Sequence, residues 1–218
     1  MQTLIQDLRY GLRMQRRSPG FSAVALLSLA LGIGANTTIF SLANAFLLRP
    51  LPVEEPSRVV RIYSNRFSNT SYPNYVDYRD RNQTLAGLAA FQMTSLSLRN
   101  DGEAEHIFGQ IASGNYFTVL GVRPALGRTF LPEDDRTPLT VLSHGFWQRR
   151  FASDTGVIGK AVTLNGQSFT VVGVAPPGFT GTLAPLVADL WVPLMTDPLL
   201  RPGTDRLTNR GGGAVAST

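Results

Sequence analysis

The chain has 218 residues, 20 basic and 15 acidic side chains, two histidines and no cysteine, and only 16% of it is charged, against about 25% in an ordinary soluble domain. That length is enough to bury a full core without disulfide or metal staples, and a cysteine-free chain with so few histidines excludes zinc-finger, iron–sulfur and thiol chemistry. A net charge of +5 and an isoelectric point near 10.1 would point to nucleic acid only if the basic residues formed one stripe.

They form a flank instead. Arg9, Arg13, Arg16 and Arg17 stand against Asp7 alone in residues 1–20, Arg49 stands by itself, and residues 50–218 carry 15 basic and 14 acidic groups. Between Arg17 and Arg49, residues 21–48 form an uncharged stretch of 28 residues. As a helix rising about 1.5 Å per residue it would be roughly 42 Å long, against about 30 Å of bilayer hydrocarbon. A cleaved signal would use Ala43-Asn44-Ala45, but signal apolar regions run only about 7 to 15 residues. A buried helix of a soluble protein leaves the arginines at both ends unexplained. The segment therefore reads as a transmembrane helix over 21–48. By the positive-inside rule, Arg9, Arg13, Arg16 and Arg17 place residues 1–20 in the cytoplasm and residues from about 50 onward outside it. Leu4, Ile5, Leu8 and Leu12 have the spacing of an amphipathic helix on the membrane surface.

At about 100° per residue, Ala23, Ala30, Gly34, Thr37, Thr38, Ser41, Asn44 and Ala45 fall within about 120° of one another. Small and weakly polar residues let helix backbones approach closely in lipid. Ala30, Gly34, Thr38, Ser41 and Ala45 are the candidate helix-packing face.

Beyond the span the pattern predicts an α+β domain over 50–195. Arg58 to Ser64 alternates as a half-buried strand. Pro73 to Arg81 reads as a helix. Leu88 to Leu98 and Glu105 to Ile111 read as paired strands around a turn at Arg99 to Glu103. Asn115 to Leu120 is a helical turn ended by Gly121, and Leu139 to Leu142 is a short strand leading into a helix from about His144 to Phe151. Ala161 to Leu164 and Gln167 to Val174 form a hairpin on Asn165-Gly166, a pair suited to positive φ, ended by Pro176-Pro177-Gly178. Asp189 to Leu194 reads as a further edge strand limited by Pro193. The last dozen residues lack periodicity, and residues 196–218 read as a disordered or truncated tail.

Motifs for catalysis are weak. Ser143-His144 are adjacent rather than arranged as nucleophile and base, and no G-x-S-x-G surrounds the serine. Glu133-Asp134-Asp135 resembles a hard-cation cluster, but after Pro132 it reads better as a solvated turn or helix N-terminus. A phosphate-binding loop ending at Gly159-Lys160 would need glycine at 154 and Ser or Thr at 161, where the chain has Asp154 and Ala161. No catalytic, cofactor or metal residue is assigned, and nucleic acid is not expected as a partner.

Five blocks carry a resemblance: LALGIGANTTIFSLANAFLLRPLP from Leu29, SYPNYVDYRDR from Ser71, NYFTVLGVRPALGRTFLPEDD from Asn115, VLSHGFWQRRFASDTGVIGKAVTLNGQSFTVVGVAPPGF from Val141 and DLWVPL from Asp189. Together they resemble the bacterial MacB/FtsX-type permeases, and most of all the branch known as acidobacterial duplicated orphan permeases. The resemblance implies one transmembrane helix, a MacB-like periplasmic core domain and then three more transmembrane helices, working as a dimer beside a separate or fused ABC ATPase. It further implies mechanotransmission: the helices pass ATP-driven movement to the periplasmic domain rather than lining a channel. The chain reads as an N-terminal portion of such a permease, in the inner membrane, with a homodimer mate or related permease subunit and an ATPase as partners. A different reading keeps it as a single-span, membrane-anchored periplasmic binding or interaction module without transport activity.

Overall fold

The computed structural model describes residues 19–43, 53–63, 70–100, 103–183, 186–204, 206–210 and 216–217. The chain divides into two compact units, residues 1–49 and 50–218.

The first unit contains helix α1, Pro19–Ala43. Pro19 suits the first helical turn, where an N–H lacks a partner anyway, and no charged residue interrupts the helix after it. Residues 44–48 of the predicted span, and the flank with Arg9, Arg13, Arg16 and Arg17, lie outside the described residues.

The second unit is built on a sheet that closes on itself. Its long strands are β1 (Ala90–Asn100) and β2 (Glu103–Ala112), paired antiparallel from Phe91↔Ala112 to Asn100↔Glu103. β7 (Leu190–Pro193) joins β2 in parallel, β4 (Leu139–Leu142) joins β7 antiparallel, and β6 (Gln167–Val174) joins β4 in parallel. β5 (Ala161–Leu164) pairs with β6 and, through Leu98↔Leu164, returns to β1. These six strands make a barrel, which removes the exposed edges that an open sheet would present. Two short strands are added outside the circuit: β3 (Leu126–Gly127) on β6, and β8 (Ala216–Ser217) on β1.

Period-two alternation then sorts the side chains. Leu96, Leu98, Ile107, Ile111, Val162, Leu164, Phe169, Val171, Leu190 and Val192 belong to one buried cluster that fills the barrel, as expected for so few strands. The register skips Val172 between Thr140↔Val171 and Val141↔Gly173. That bulge lets Val171 and Val174 both join the lumen cluster. The opposite faces of the same strands contribute Phe91, Ala112, Val141 and Trp191 to a second cluster with Tyr116, Phe117, Phe130 and Phe179. Here Trp191 lies 5.5 Å from Phe117 and 5.2 Å from Phe179, ring centre to ring centre.

Helices cap the barrel with residues the sequence marks. α2 (Tyr72–Arg81) begins at Ser71, whose hydroxyl accepts from the Asn74 N–H, and it buries Tyr75 in the lumen cluster. α3 (Tyr116–Val119) is a single turn ended by Gly121 at φ +67°. α4 (His144–Phe151) is capped by Ser143, which accepts from the Phe146 N–H. Asn165 and Gly166 hold φ of +49° and +83° in the β5–β6 turn, as a type I′ hairpin requires.

Four expectations need correction. The strand expected at Arg58 to Ser64 is not formed over residues 58–63: Pro56, whose fixed φ suits the first turn of a helix, opens a 3-10 turn at Pro56–Arg58, and only Ile62 makes a bridge there; Ser64 lies outside the described residues. The paired strands run closer together than expected, leaving only residues 101 and 102 between Asn100 and Glu103. The strand expected at a sheet edge, β7, lies inside the sheet with all four residues buried; Pro193, which lacks an N–H to donate, stands at its last position, so the ladder loses little. The start of the expected tail is ordered. A 3-10 turn at Leu194–Thr196 runs into helix α5 (Asp197–Leu200), which buries Leu200 against the lumen cluster.

Candidate functional site

α1 exposes its apolar residues: Leu31 and Ile33 are 79% and 63% exposed. The most apolar 18 residues within Pro19–Ser41 have a mean hydropathy of 1.8, and the 25 residues of α1 measure about 37 Å at the ordinary rise. That is long and apolar enough to cross a bilayer. Ala30, Gly34, Thr38 and Ser41 share one side of α1 by helical spacing; Ala45 lies outside the described residues. The Thr38 hydroxyl donates to the Gly34 carbonyl at 2.8 Å, so its polar atom is satisfied within the helix and its methyl is left for packing. A Cβ placed on Gly32 or Gly34 would meet nothing within 4 Å. Neither glycine is required by a contact inside the described chain.

In the second unit the motif residues turn out to be structural. The word ALGR places Gly127 at φ +66°, and it runs so close to β6 that a Cβ on Gly173 would sit 2.0 Å from the Arg128 carbonyl oxygen. The Arg128 guanidinium then bonds both carboxylate oxygens of Asp134, one at 3.1 Å. Its hydrogen bonds to that carboxylate, more than its charge, hold Asp134 below the usual range. Asp134 is buried rather than solvated. Asp135 points elsewhere, accepting the Gly114 N–H at 3.2 Å, and burial pushes its carboxyl up despite further backbone donors at Leu194 and Met195. Glu133 stays exposed. The three acids therefore diverge into separate ties between loops, and among the described residues no group of three His, Asp or Glu side chains is placed to hold a metal.

Ser143 spends its hydroxyl on the α4 cap, while His144 packs edge-on to Trp147 at 5.5 Å. His106 is exposed on β2. The chain's single lysine, Lys160, is held 2.7 Å from Asp154, and Asp154 also accepts the Gly156 N–H. The phosphate-loop look-alike is thus a closed turn with its cation already paired.

Two features escape pattern reading. Gln110 is completely buried and accepts from the Trp191 indole at 2.6 Å, with Tyr116 and Thr182 hydroxyls bonded beside it at 3.2 Å. Burial drives the Tyr116 hydroxyl strongly upward. Only the alternation Phe108, Gln110, Ala112 hints that Gln110 faces a core. The other is a cavity of about 400 Å³ lined by Glu54, Glu55, Arg58, Gly87 and Val119 among others. Its charges are balanced locally, Glu55 with Arg58 at 2.7 Å and Glu54 with Arg123 at 3.9 Å.

Similarity to known proteins then identifies the family. The family described as MacB-like periplasmic core domain matches residues 22–212. The fold is similar to the periplasmic region of MacB from Actinobacillus actinomycetemcomitans, at 17% identity and a TM-score of 0.54 over 70% of this chain and 65% of that one. It is similar to the extracellular domain of the noncanonic ABC-type transporter YknZ from Gram-positive bacteria, at 18% identity and a TM-score of 0.53 over 72% and 79%. It is also similar to a domain of a permease from Porphyromonas gingivalis, at 15% identity and a TM-score of 0.51 over 69% and 62%. The chain spans about two thirds of the MacB region it matches. No curated protein sequence matches it. The matched family is a transporter permease component, not a family of catalysts.

Proposed function

Because the chain belongs to the MacB-like periplasmic core domain family, we propose that it acts as a permease subunit of an ABC-type system, or as the N-terminal portion of one, coupling ATP-driven motion of α1 to the barrel. In this reading α1 crosses the inner membrane, Arg9, Arg13, Arg16 and Arg17 hold the N-terminus in the cytoplasm, and the barrel is periplasmic. ATP is hydrolysed by a separate ABC ATPase. Ala30, Gly34, Thr38, Ser41 and Ala45 pack against a helix of a second permease subunit, identical or related. The observation that carries the reading is the pairing of an exposed apolar helix long enough to cross a bilayer with a domain that matches the MacB-like periplasmic core domain family.

The chain has no cysteine, so single cysteines report cleanly. Cysteines at Gly34 and Ser41 should crosslink to a second transmembrane helix or to an ATPase-linked subunit in native membranes. A clean monomer that retains full function would overturn the proposal in favour of a single-span binding module. For orientation, a membrane-impermeant maleimide added to spheroplasts should label Val60→Cys and spare Arg13→Cys; the reverse pattern refutes the topology.

A further inference from the structure

β1 meets β2 along its length but closes onto β5 only at Leu98↔Leu164 and Arg99↔Thr163. Asn165, the residue after β5, lengthens that seam. Its backbone N–H donates to the Ser97 carbonyl at 2.8 Å, and its Oδ1 accepts the Ser97 N–H at 2.8 Å. Its Nδ2 donates to the Leu200 carbonyl at 2.9 Å, so the same amide ties α5 to the barrel. Beyond that bond α5 is held by Leu200 in the lumen cluster and by Arg201, which follows it and donates to the Thr94 hydroxyl.

Asn165 is also the one asparagine of the chain that is followed by glycine. Without a β-carbon, the Gly166 nitrogen meets the least hindrance in attacking the side-chain carbonyl carbon of Asn165. Both residues are exposed, and among the described residues no hydrogen bond occupies the Gly166 N–H. The attack forms a bond from the Gly166 nitrogen to Asn165 Cγ and breaks the bond from Cγ to Nδ2; the Gly166 proton passes through solvent to Nδ2, which leaves as ammonia. Water then opens the succinimide at either carbonyl, giving aspartate or isoaspartate. The clamp opposes the first step, because the ring ties Cγ to the residue's own main chain, away from Ser97 and Leu200. The products in turn oppose the clamp. In aspartate an acceptor stands where Nδ2 donated, 2.9 Å from the Leu200 carbonyl oxygen, and that carbonyl loses its partner. Isoaspartate carries the main chain through its β-carbon and lengthens a turn that fits two residues at φ +49° and +83°. Conversion of Asn165 and docking of α5 therefore exclude each other.

We propose that Asn165 is a spontaneous modification site, converted through a succinimide with Gly166 to aspartate or isoaspartate, and that conversion unlatches α5 from the barrel. The proposal is independent of transport and of any partner ATPase. The test incubates the full chain in detergent micelles at mildly alkaline pH and maps amide-to-acid exchange by peptide mass spectrometry, with the urea-unfolded chain in parallel. Asn165 is expected to convert ahead of every other asparagine, and at least threefold more slowly folded than unfolded. Leu200→Ala, which loosens α5, should speed the folded conversion at least threefold. Asn165→Asp should speed hydrogen exchange of the Arg201 amide, which donates to the Asp197 carbonyl at 2.9 Å, at least threefold, and leave β2 and β7 unchanged. Chain converted by incubation and separated by its added negative charge gives the same reading if Asn165→Asp does not fold. The proposal is overturned if folded Asn165 shows no conversion over ten half-lives of the unfolded chain, if it converts as fast folded as unfolded, or if another asparagine converts first. It is equally overturned if folded Leu200→Ala converts no faster, or if the acid form leaves exchange at Arg201 unchanged.

Discussion

Leu31 in α1 is 79% exposed and Leu164 in β5 is fully buried, although either segment taken alone is simply apolar. In α1 the local hydrogen bonds satisfy the backbone without help, so the side chains are free to face lipid on all sides. In the barrel the backbone is satisfied only by neighbouring strands, and alternation forces one set of side chains into the lumen and the other under an aromatic layer. The contrast teaches that one chain carries two kinds of core: one it builds for itself, and one that its surroundings must supply.

The largest effect should come from breaking the core that the chain builds. Trp191→Ala removes the ring that Phe117 and Phe179 pack against and leaves Gln110 without its donor; it should cost about 3–5 kcal/mol in urea unfolding of the detergent-solubilised chain. Leu31→Ala in the same assay should leave the barrel's unfolding midpoint unchanged.

The two regions also answer the same glycine substitution differently. Gly173→Ala drives a methyl into the Arg128 backbone carbonyl and should destabilise by about 1–3 kcal/mol. Gly34→Ala meets open space, so the folded state should be unaffected, while Gly34→Leu should abolish the interhelical crosslink without changing the barrel's melting temperature.

Within the barrel, Asp134→Ala should cost about 1.5–3 kcal/mol through the lost charged hydrogen bonds to Arg128. Its depressed carboxyl means that this contribution is present above the unfolded value, about 3.9, and is lost as pH falls through the lower folded value. Asp135 runs the other way: burial raises it, so stability is gained as pH falls through its folded value. Melting curves of Asp135→Asn should therefore lack a gain that wild type shows on mild acidification, and Asp134→Asn should lose less stability than wild type below about pH 3.9. The smallest change is Thr38→Val, which removes only an internal back-bond and should shift α1 helicity by less than about 0.5 kcal/mol in circular dichroism.

The legible parts of the fold are those whose physics is local. The helices read at Pro73 to Arg81 and at about His144 to Phe151 are legible because helix-forming signals act over a few neighbouring residues, and Asn165-Gly166 announces its turn because the required φ belongs to those residues alone. Pattern reading fails where a distant partner decides. Nothing in DLWVPL says that β2 and β4 will lie on either side of it, so its pattern suggests an edge that the fold does not have. Asp134 and Asp135 are neighbours in sequence, yet Arg128 claims one and the Gly114 backbone the other. Arg61 reads as one more charge on an alternating run until Phe91, thirty residues away, shows that its guanidinium is sunk against an aromatic face.

By itself the sequence determined the long apolar helix, the hairpin, the two capped helices and the α+β class, because hydropathy period, caps and turn residues act over a few positions. The family words were also on its surface, though not what they do: ALGR and PEDD meet only when Gly127 lies against Gly173 and Arg128 reaches Asp134. Tertiary structure alone decided that the strands close into a barrel, that β7 sits within it, that Gln110 is a buried polar group and that the Arg61 guanidinium lies over the Phe91 ring. Closure depends on which strands pair across the whole unit, and a pairing energy shared by residues far apart in the chain leaves no mark on either one alone.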